Sequence, residues 1–230
     1  MQFDAVFLVH LTGLFAIIGV LCYAVGDVLM LAAKANPEDY PNLKPHAKLL
    51  SGTERMVALP EWRLVWGGLI GVLVTPLLVA GLWHLYYGLA SAGAWSVWPP
   101  VILFGIGFIL APFVHGSFIY LGEYVQALNR VGPDSQAVIV EMFNRHKKIM
   151  ILSYGPLLVC VLIASIWFSA AVAFGDTLFP RWMAAVNPIT ALIAWLIVRR
   201  VAPKLVERVD GAGFNIALFV FFALTTITLW

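Results

Sequence analysis

The chain contains 230 residues, of which 62% are hydrophobic and only 11% are charged, and its formal net charge is +2. Soluble domains carry about 25% charged residues, so this composition excludes an ordinary soluble protein. We therefore predict an integral membrane protein, whose partners are membrane lipids and a hydrophobic small molecule, with no nucleic acid.

Six apolar runs are long enough to cross a membrane, since a helix needs about 20 apolar residues to span the hydrocarbon core. Together they use nearly the whole chain and leave no room for a separate soluble domain. The sequence thus predicts a single polytopic domain over residues 1–230, an all-α bundle of six transmembrane helices. The predicted spans cover residues 5–33, 62–89, 98–128, 149–174, 182–201 and 211–230.

The basic residues are sorted between the two sides of this bundle. All of them except Arg181 lie within or beside the loops 34–61, 129–148 and 202–210, which follow the first, third and fifth spans. Because loops rich in lysine and arginine remain in the cytoplasm, these three loops are predicted to be cytoplasmic. Both termini then lie on the non-cytoplasmic side of a multi-pass protein in the cell membrane.

The second to fifth spans each contain a proline, at Pro76, Pro112, Pro156 and Pro188. Proline removes one backbone hydrogen bond and kinks a helix, so helices two to five are predicted to be kinked. Simple kinks are one interpretation, because proline is common in transmembrane helices. The alternative is a central cavity around which these helices bend.

Polar residues within the spans fall at different depths, judged from the 1.5 Å rise per residue and the midpoint of each run. His10 and His84 lie toward the outside, Asp27 and Glu123 toward the cytoplasm, and His115 roughly 5 Å from the centre. A charged side chain inside a bilayer is costly and is normally turned inward and paired. Ion pairing at the interface is an alternative explanation for the two carboxylates.

These residues form the predicted site. His115, Glu123 and Asp27 are the candidate catalytic residues, because histidine and carboxylates can exchange protons near neutral pH. Packing of the first helix against the third is expected to bring Asp27 toward Glu123. Further hydroxyl and amide side chains are expected to contact the ligand: Tyr23, Tyr120, Tyr124, Asn187 and Asn215.

No sequence motif identifies a reaction, since the chain lacks HExxH, GxSxG, CxxCH and a phosphate-binding glycine loop. The first hypothesis is acid–base chemistry on, or binding of, a hydrophobic, lipid-like molecule, by an isomerase, hydrolase or lyase if the protein is an enzyme. The alternatives are a proton-coupled transporter of a small solute and a b-type haem protein. No cofactor is predicted except haem in that last case, where His10 and His84 would be the ligands. The oligomeric state and a non-catalytic assembly or sensory role stay open.

Overall fold

The computed structural model describes residues 4–35 and 39–230, and every regular element within them is helical. The α-helices, in chain order, are α1 (Ala5–Leu31), α2 (Ala47–Leu50), α3 (Glu61–Leu89), α4 (Ala94–Arg130), α5 (Pro133–Phe174), α6 (Pro188–Val201), α7 (Pro203–Val206) and α8 (Gly213–Thr228). Short 3-10 turns connect them at Lys44–His46, Glu54–Met56, Ala90–Ala92, Arg181–Ala185 and Glu207–Ala212.

Within residues 4–35 and 39–230, five helical segments are long and apolar enough to cross a membrane. They confirm the prediction of a membrane protein built as a helical bundle. The segments are Ala5–Leu31, Glu61–Ala92, Ala94–Arg130, Pro133–Phe174 and Pro203–Thr228.

The long helices alternate in direction, and α1 and α8 meet at both of their ends. At one end, His10 Nε2 donates a hydrogen bond to the carbonyl of Leu229 over 3.0 Å, and its ring stacks on Trp230. At the opposite end, Asn215 of α8 contacts Asp27 of α1. The first residues of α1 and the last residues of α8 therefore lie at the same end of the bundle, which we call the terminal end. The other end is called the loop end.

Small residues let α1 and α3 approach closely. A methyl group built on Gly81 of α3 would lie 2.5 Å from Cβ of Ala16 on α1, much closer than two carbon atoms can come. Interfaces of this kind are enriched in small residues, because without a hydrophobic driving force the helices associate through close backbone packing. The small residues of α1 thus determine which helix lies against it.

A layer of phenylalanine rings fills the bundle between α4, α5 and α8. The Phe168 and Phe221 ring centroids are 5.0 Å apart, and the Phe104 and Phe221 centroids are 5.8 Å apart. Phe108 lies 6.1 Å from Phe222 and marks the edge of the layer toward the loop end. Offset and edge-on contacts at these distances are favourable, so the layer closes the interior toward the terminal end.

The fifth predicted span, residues 182–201, differs from the structure. Only Pro188–Val201 is α-helical, and 14 residues extend about 21 Å, less than the hydrocarbon core of about 30 Å. The Asn187 side chain accepts hydrogen bonds from the backbone N–H groups of Ile189 and Thr190, and Thr190 Oγ1 accepts one from Asn187. This is a capping box with proline in the first turn, so Pro188 begins α6 and does not kink it.

Among the other predicted spans, the largest shift is at the fourth, whose helix begins at Pro133 and not at residue 149. Pro76, Pro112 and Pro156 lie inside α3, α4 and α5 as predicted. The predicted loop 129–148 is mostly helical, because α5 runs as one helix from Pro133 into its apolar part. Of the predicted loop 34–61, residues 36–38 lie outside the described part of the chain.

The contact of Gly81 with α1 predicts a loss of stability on adding one methyl group. We expect Gly81→Ala to lower the free energy of unfolding by about 1–3 kcal/mol, because Ala16 and the α1 backbone must move. Gly155→Ala in α5 is the matched control, since its added methyl group meets no described atom within 4 Å apart from the neighbouring part of α5 itself. Denaturation in detergent, followed by tryptophan fluorescence, measures both variants. Equal stability of the two would contradict this packing.

Candidate functional site

A cavity of about 220 Å³ lies between α1, α3, α4, α5 and α8, on the loop-end side of the phenylalanine layer. Its wall is mainly apolar, with Phe108, Leu157 and Leu218 among the lining residues. The polar side chains that reach it are Tyr23, Asp27, His115, Tyr154 and Asn215. A mostly apolar cavity with a few converging polar groups is the usual form of a small-molecule site.

Asp27 is the centre of the polar cluster. Asn215 Nδ2 of α8 donates a hydrogen bond to Asp27 Oδ2 over 2.6 Å, and His115 Nε2 of α4 lies 3.3 Å from Asp27 Oδ1. Asp27 is 7% exposed and His115 is 5% exposed, so both are buried in the bundle. One carboxylate therefore connects three helices through side chains that point into the same cavity.

The hydrogen bonds of His115 determine where its proton lies. Its Nδ1 is 3.0 Å from the carbonyl oxygen of Gly68, which can only accept, so Nδ1 carries a proton. A neutral imidazole has only one N–H group, so Nε2 then carries a lone pair, and it has no hydrogen-bond partner among the described residues. Asp27 Oδ1 lies 3.3 Å away and can accept a hydrogen bond from Nε2 once a proton arrives there.

Tyr23 supports the histidine ring from the side. Its hydroxyl donates to Thr75 Oγ1 over 2.6 Å, because the Thr75 hydroxyl itself donates to the Gly71 carbonyl over 3.0 Å. The Tyr23 and His115 rings meet edge to face, with their centroids 4.9 Å apart. This chain of hydrogen bonds fixes the ring of Tyr23, and the ring contact in turn restricts the orientation of His115.

Two glycines make the space for the imidazole ring. A methyl group on Gly71 would lie 2.5 Å from His115 Nδ1, and one on Gly26 would lie 2.7 Å from His115 Cε1. Sequence reasoning did not assign these glycines to the site, nor Tyr154, which lines the cavity. Their positions in the sequence could have indicated two of them. Gly26 directly precedes Asp27, and Tyr154 lies two residues before Pro156 of α5.

Glu123 lies outside the cavity, and the expected approach of Asp27 to Glu123 is wrong. Glu123 is exposed on α4, about 12 Å along the helix from His115, which takes the position beside Asp27. The prediction assumed that the midpoint of each apolar run lies at the same depth. The contact of Asp27 with His115 shows instead that the midpoints of α1 and α4 lie at different depths.

The remaining predicted contact residues divide between the cavity and other places. Tyr23 and Asn215 line the cavity. Tyr120 and Tyr124 instead lie beside His146 of α5, with ring centroids 5.5 and 5.9 Å from it. Asn187 caps α6 and donates to Ser169 Oγ over 2.9 Å, so its polar atoms are engaged in structure.

Haem ligation by His10 and His84 would need one free nitrogen from each ring on opposite faces of one macrocycle. His10 Nε2 is bonded to Leu229, and its ring is stacked on Trp230. His84 is fully buried, and its Nδ1 donates to the Val9 carbonyl over 3.0 Å. Neither histidine lines the cavity, and each ring links two helices. Because His84 Nε2 has no hydrogen-bond partner among the described residues, the haem alternative stays a prediction.

The fold and the site define a class: a helical membrane protein with a buried histidine–aspartate pair in an apolar cavity. The chain matches the model of a family of unknown function, DUF6796, over residues 5–230, and it belongs to that family. No curated protein and no solved structure matches the chain.

The hydrogen bond from His115 to Gly68 predicts a specific protonation pattern. Nitrogen NMR of protein containing 15N-labelled histidine should show His115 protonated at Nδ1, and the His115→Gln variant identifies its signals among those of the five histidines. In Asp27→Asn we expect the neutral form with the proton on Nδ1, because the amide can donate to Nε2. A neutral ring protonated at Nε2 in the unmodified protein would contradict the assignment.

Proposed function

We propose that the cavity binds a small, largely apolar molecule with one polar group and carries out acid–base chemistry on it. The observation that carries this proposal is His115 Nε2, which has no hydrogen-bond partner among the described residues and lies 3.3 Å from Asp27 Oδ1 in the wall of the cavity. Histidine is the side chain used most often for proton transfer, and a histidine–carboxylate pair is a frequent form of it.

The size and lining of the cavity support a ligand larger than water and smaller than an intact lipid. An engineered apolar cavity of about 150 Å³ in another protein holds benzene, so 220 Å³ suits a single ring or a short chain. The apolar wall favours the body of such a molecule, while Asp27, His115 and Tyr154 offer partners for its polar group. The lipid-like character of the ligand is therefore limited to a short apolar part.

Each polar residue has a defined part in this proposal. With its own proton on Nδ1, His115 has Nε2 free as a base that can remove a proton from the ligand, and the Asp27 carboxylate stabilises the charge that forms. The imidazolium formed in this step can return the proton to a neighbouring atom of the ligand, as in an isomerisation, or to a leaving group. Asn215 holds the carboxyl group through Oδ2, and Tyr23 orients the histidine ring.

Proton exchange with solvent gives a test that does not require the ligand to be known beforehand. Purified protein is incubated in D₂O with a total lipid extract, and mass spectrometry detects species that gain deuterium or appear as products. We expect His115→Gln and Asp27→Asn to reduce their formation at least about 100-fold, the typical contribution of general acid–base catalysis.

Glu141→Gln is the matched control, since it removes an exposed carboxylate from α5 outside the cavity. It should leave the rate unchanged, and melting curves should show that all variants are folded. Unreduced labelling in both His115→Gln and Asp27→Asn would contradict the proposal.

A proton-coupled carrier is the second candidate. The observation favouring it is that His115 and Asp27 lie where α1, α4 and α8 meet, so a proton gained or lost there would change contacts between three helices at once. A carrier would release its ligand chemically unchanged, with retention that depends on pH and on Asp27. The ligand would then be recovered without deuterium. If the unmodified protein and Asp27→Asn retain it equally at acidic and alkaline pH, the carrier is excluded.

We further propose six crossings of the cell membrane, with both termini on the non-cytoplasmic side. The fifth crossing would combine the turn Arg181–Ala185 with α6 and return the chain from the terminal end to the loop end. The alternation of helix direction supports it, because α5 finishes near Ala92 and Arg199 at the end of α6 pairs with Asp210 before α8. The concentration of basic residues in the loops of the loop end supports a cytoplasmic location for that end.

Two serine-to-cysteine variants test this topology. Ser91→Cys lies in an exposed turn at the terminal end, and Ser135→Cys lies exposed at the start of α5. A membrane-impermeant maleimide added to intact cells should label Ser91→Cys and should label Ser135→Cys only after the membrane is opened. The unmodified protein, with Cys22 and Cys160, gives the background. The reverse pattern would invert the proposed orientation.

A further inference from the structure

A second pocket of about 420 Å³ lies at the loop end, next to the cavity of His115 and Asp27. It is formed by the end of α1, the turn carrying Arg55, the end of α6, α7 and the following 3-10 turn. Its charged lining residues are four basic ones, Lys34, Arg55, Arg199 and Lys204, and two acidic ones, Glu207 and Asp210. We call it the basic pocket.

Two of the four cations are neutralised within the basic pocket. Lys34 pairs with Glu207, and Arg199 pairs with Asp210 through Nε at 2.6 Å and Nη2 at 3.0 Å. Lys204 is exposed and has no ion-pair partner among residues 4–35 and 39–230.

Arg55 also lacks a carboxylate partner in that part of the chain, and its Nη1 donates to the carbonyl of Leu31 over 2.7 Å. Arg55 and Lys204 therefore leave the pocket with two positive charges in excess. Such a pocket attracts anions, and arginine in particular matches the oxygens of a phosphate group.

The basic pocket and the apolar cavity share a wall. Leu31 lines the cavity and Ala32 lines the basic pocket, while Asp210 lines the basic pocket and Gly211 lines the cavity. A methyl group on Gly211 would lie 2.4 Å from Cβ of Leu31, so the wall here is one close contact between α1 and the turn before α8. Leu31 lies one helical turn from Asp27, about 6 Å along α1.

We propose that the ligand is a phosphate-bearing amphiphile, with its phosphate held by Arg55 and Lys204 and its apolar part entering the cavity when Leu31 and Gly211 move apart. This inference rests on the proposed function, because it names the chemical class of the molecule that reaches His115 and Asp27. A phosphate at this place would lie at the level of lipid headgroups if the loop end faces the cytoplasm, which also explains the access of an amphiphile from the membrane.

Binding of matched short probes tests the proposal without any activity assay. The full chain is purified in a maltoside detergent, which carries no phosphate, and its thermal unfolding is followed with hexyl phosphate, hexanol and inorganic phosphate. We expect hexyl phosphate to bind at least tenfold more tightly than hexanol or inorganic phosphate, because it alone fills both pockets. Equal binding of hexyl phosphate and hexanol would overturn the phosphate site.

Substitutions separate the two parts of the site. Lys204→Gln should weaken hexyl phosphate binding about tenfold and leave hexanol binding unchanged, because it removes one charged hydrogen bond. Lys148→Gln, an exposed lysine of α5 outside both pockets, is the matched control. Arg55→Lys keeps the charge but loses the planar fork, so it should weaken binding less than Arg55→Gln. Unchanged binding in Lys204→Gln would contradict the proposal.

Ala111→Phe fills the cavity and should abolish the advantage of hexyl phosphate over inorganic phosphate, whereas Ala170→Phe on the exposed face of α5 should not. An advantage that survives Ala111→Phe would mean a free-phosphate site unconnected with the cavity, and the proposal would then be wrong. His115→Gln should retain the binding of hexyl phosphate. If His115→Gln loses the acid–base activity but still binds hexyl phosphate, the phosphate site stands independently of the proposed acid–base function.

Discussion

Burial of the Asp27 carboxylate within a helical bundle is the constraint on which the rest of the structure depends. A charged group at membrane depth costs about 2.5–3.5 kcal/mol even on the most lenient scale, unless partners compensate it. The partners come from distant parts of the chain, Asn215 in α8 and His115 in α4. A single acidic residue thereby determines which faces of α1, α4 and α8 must turn toward one another.

Burial of this polar cluster also requires close packing of the helices around it. An imidazole ring fits against α1 and α3 because Gly26 and Gly71 carry no side chain where the ring lies. The same property allows α1 and α3 to approach at Gly81, further toward the terminal end. Glycine therefore acts at two levels, since it brings the helices together and leaves room for the polar cluster between them.

Much of the fold could be predicted from the sequence, because length and apolar composition dominate the behaviour of a chain in a membrane. The site could be predicted in part: His115, Asp27, Tyr23 and Asn215 meet at the cavity, whereas Glu123, Tyr120, Tyr124 and Asn187 lie elsewhere. The error came from relative depth, since hydropathy gives no register between helices of different length. The short α6 was missed because Asn187 and Pro188, which start a helix, lie inside a continuous apolar run.

The two ends of the bundle show why a buried histidine alone does not identify a site. At the terminal end, His10 and His84 each donate to a backbone carbonyl, so a neutral ring satisfies the contact observed there. His115 makes the same kind of contact with Gly68, but its second nitrogen meets a carboxylate. Of these three histidines, only His115 has its second nitrogen beside a carboxylate within the described part of the chain. That carboxylate, and not the presence of histidine, distinguishes the loop-end cavity as the proposed place of proton transfer.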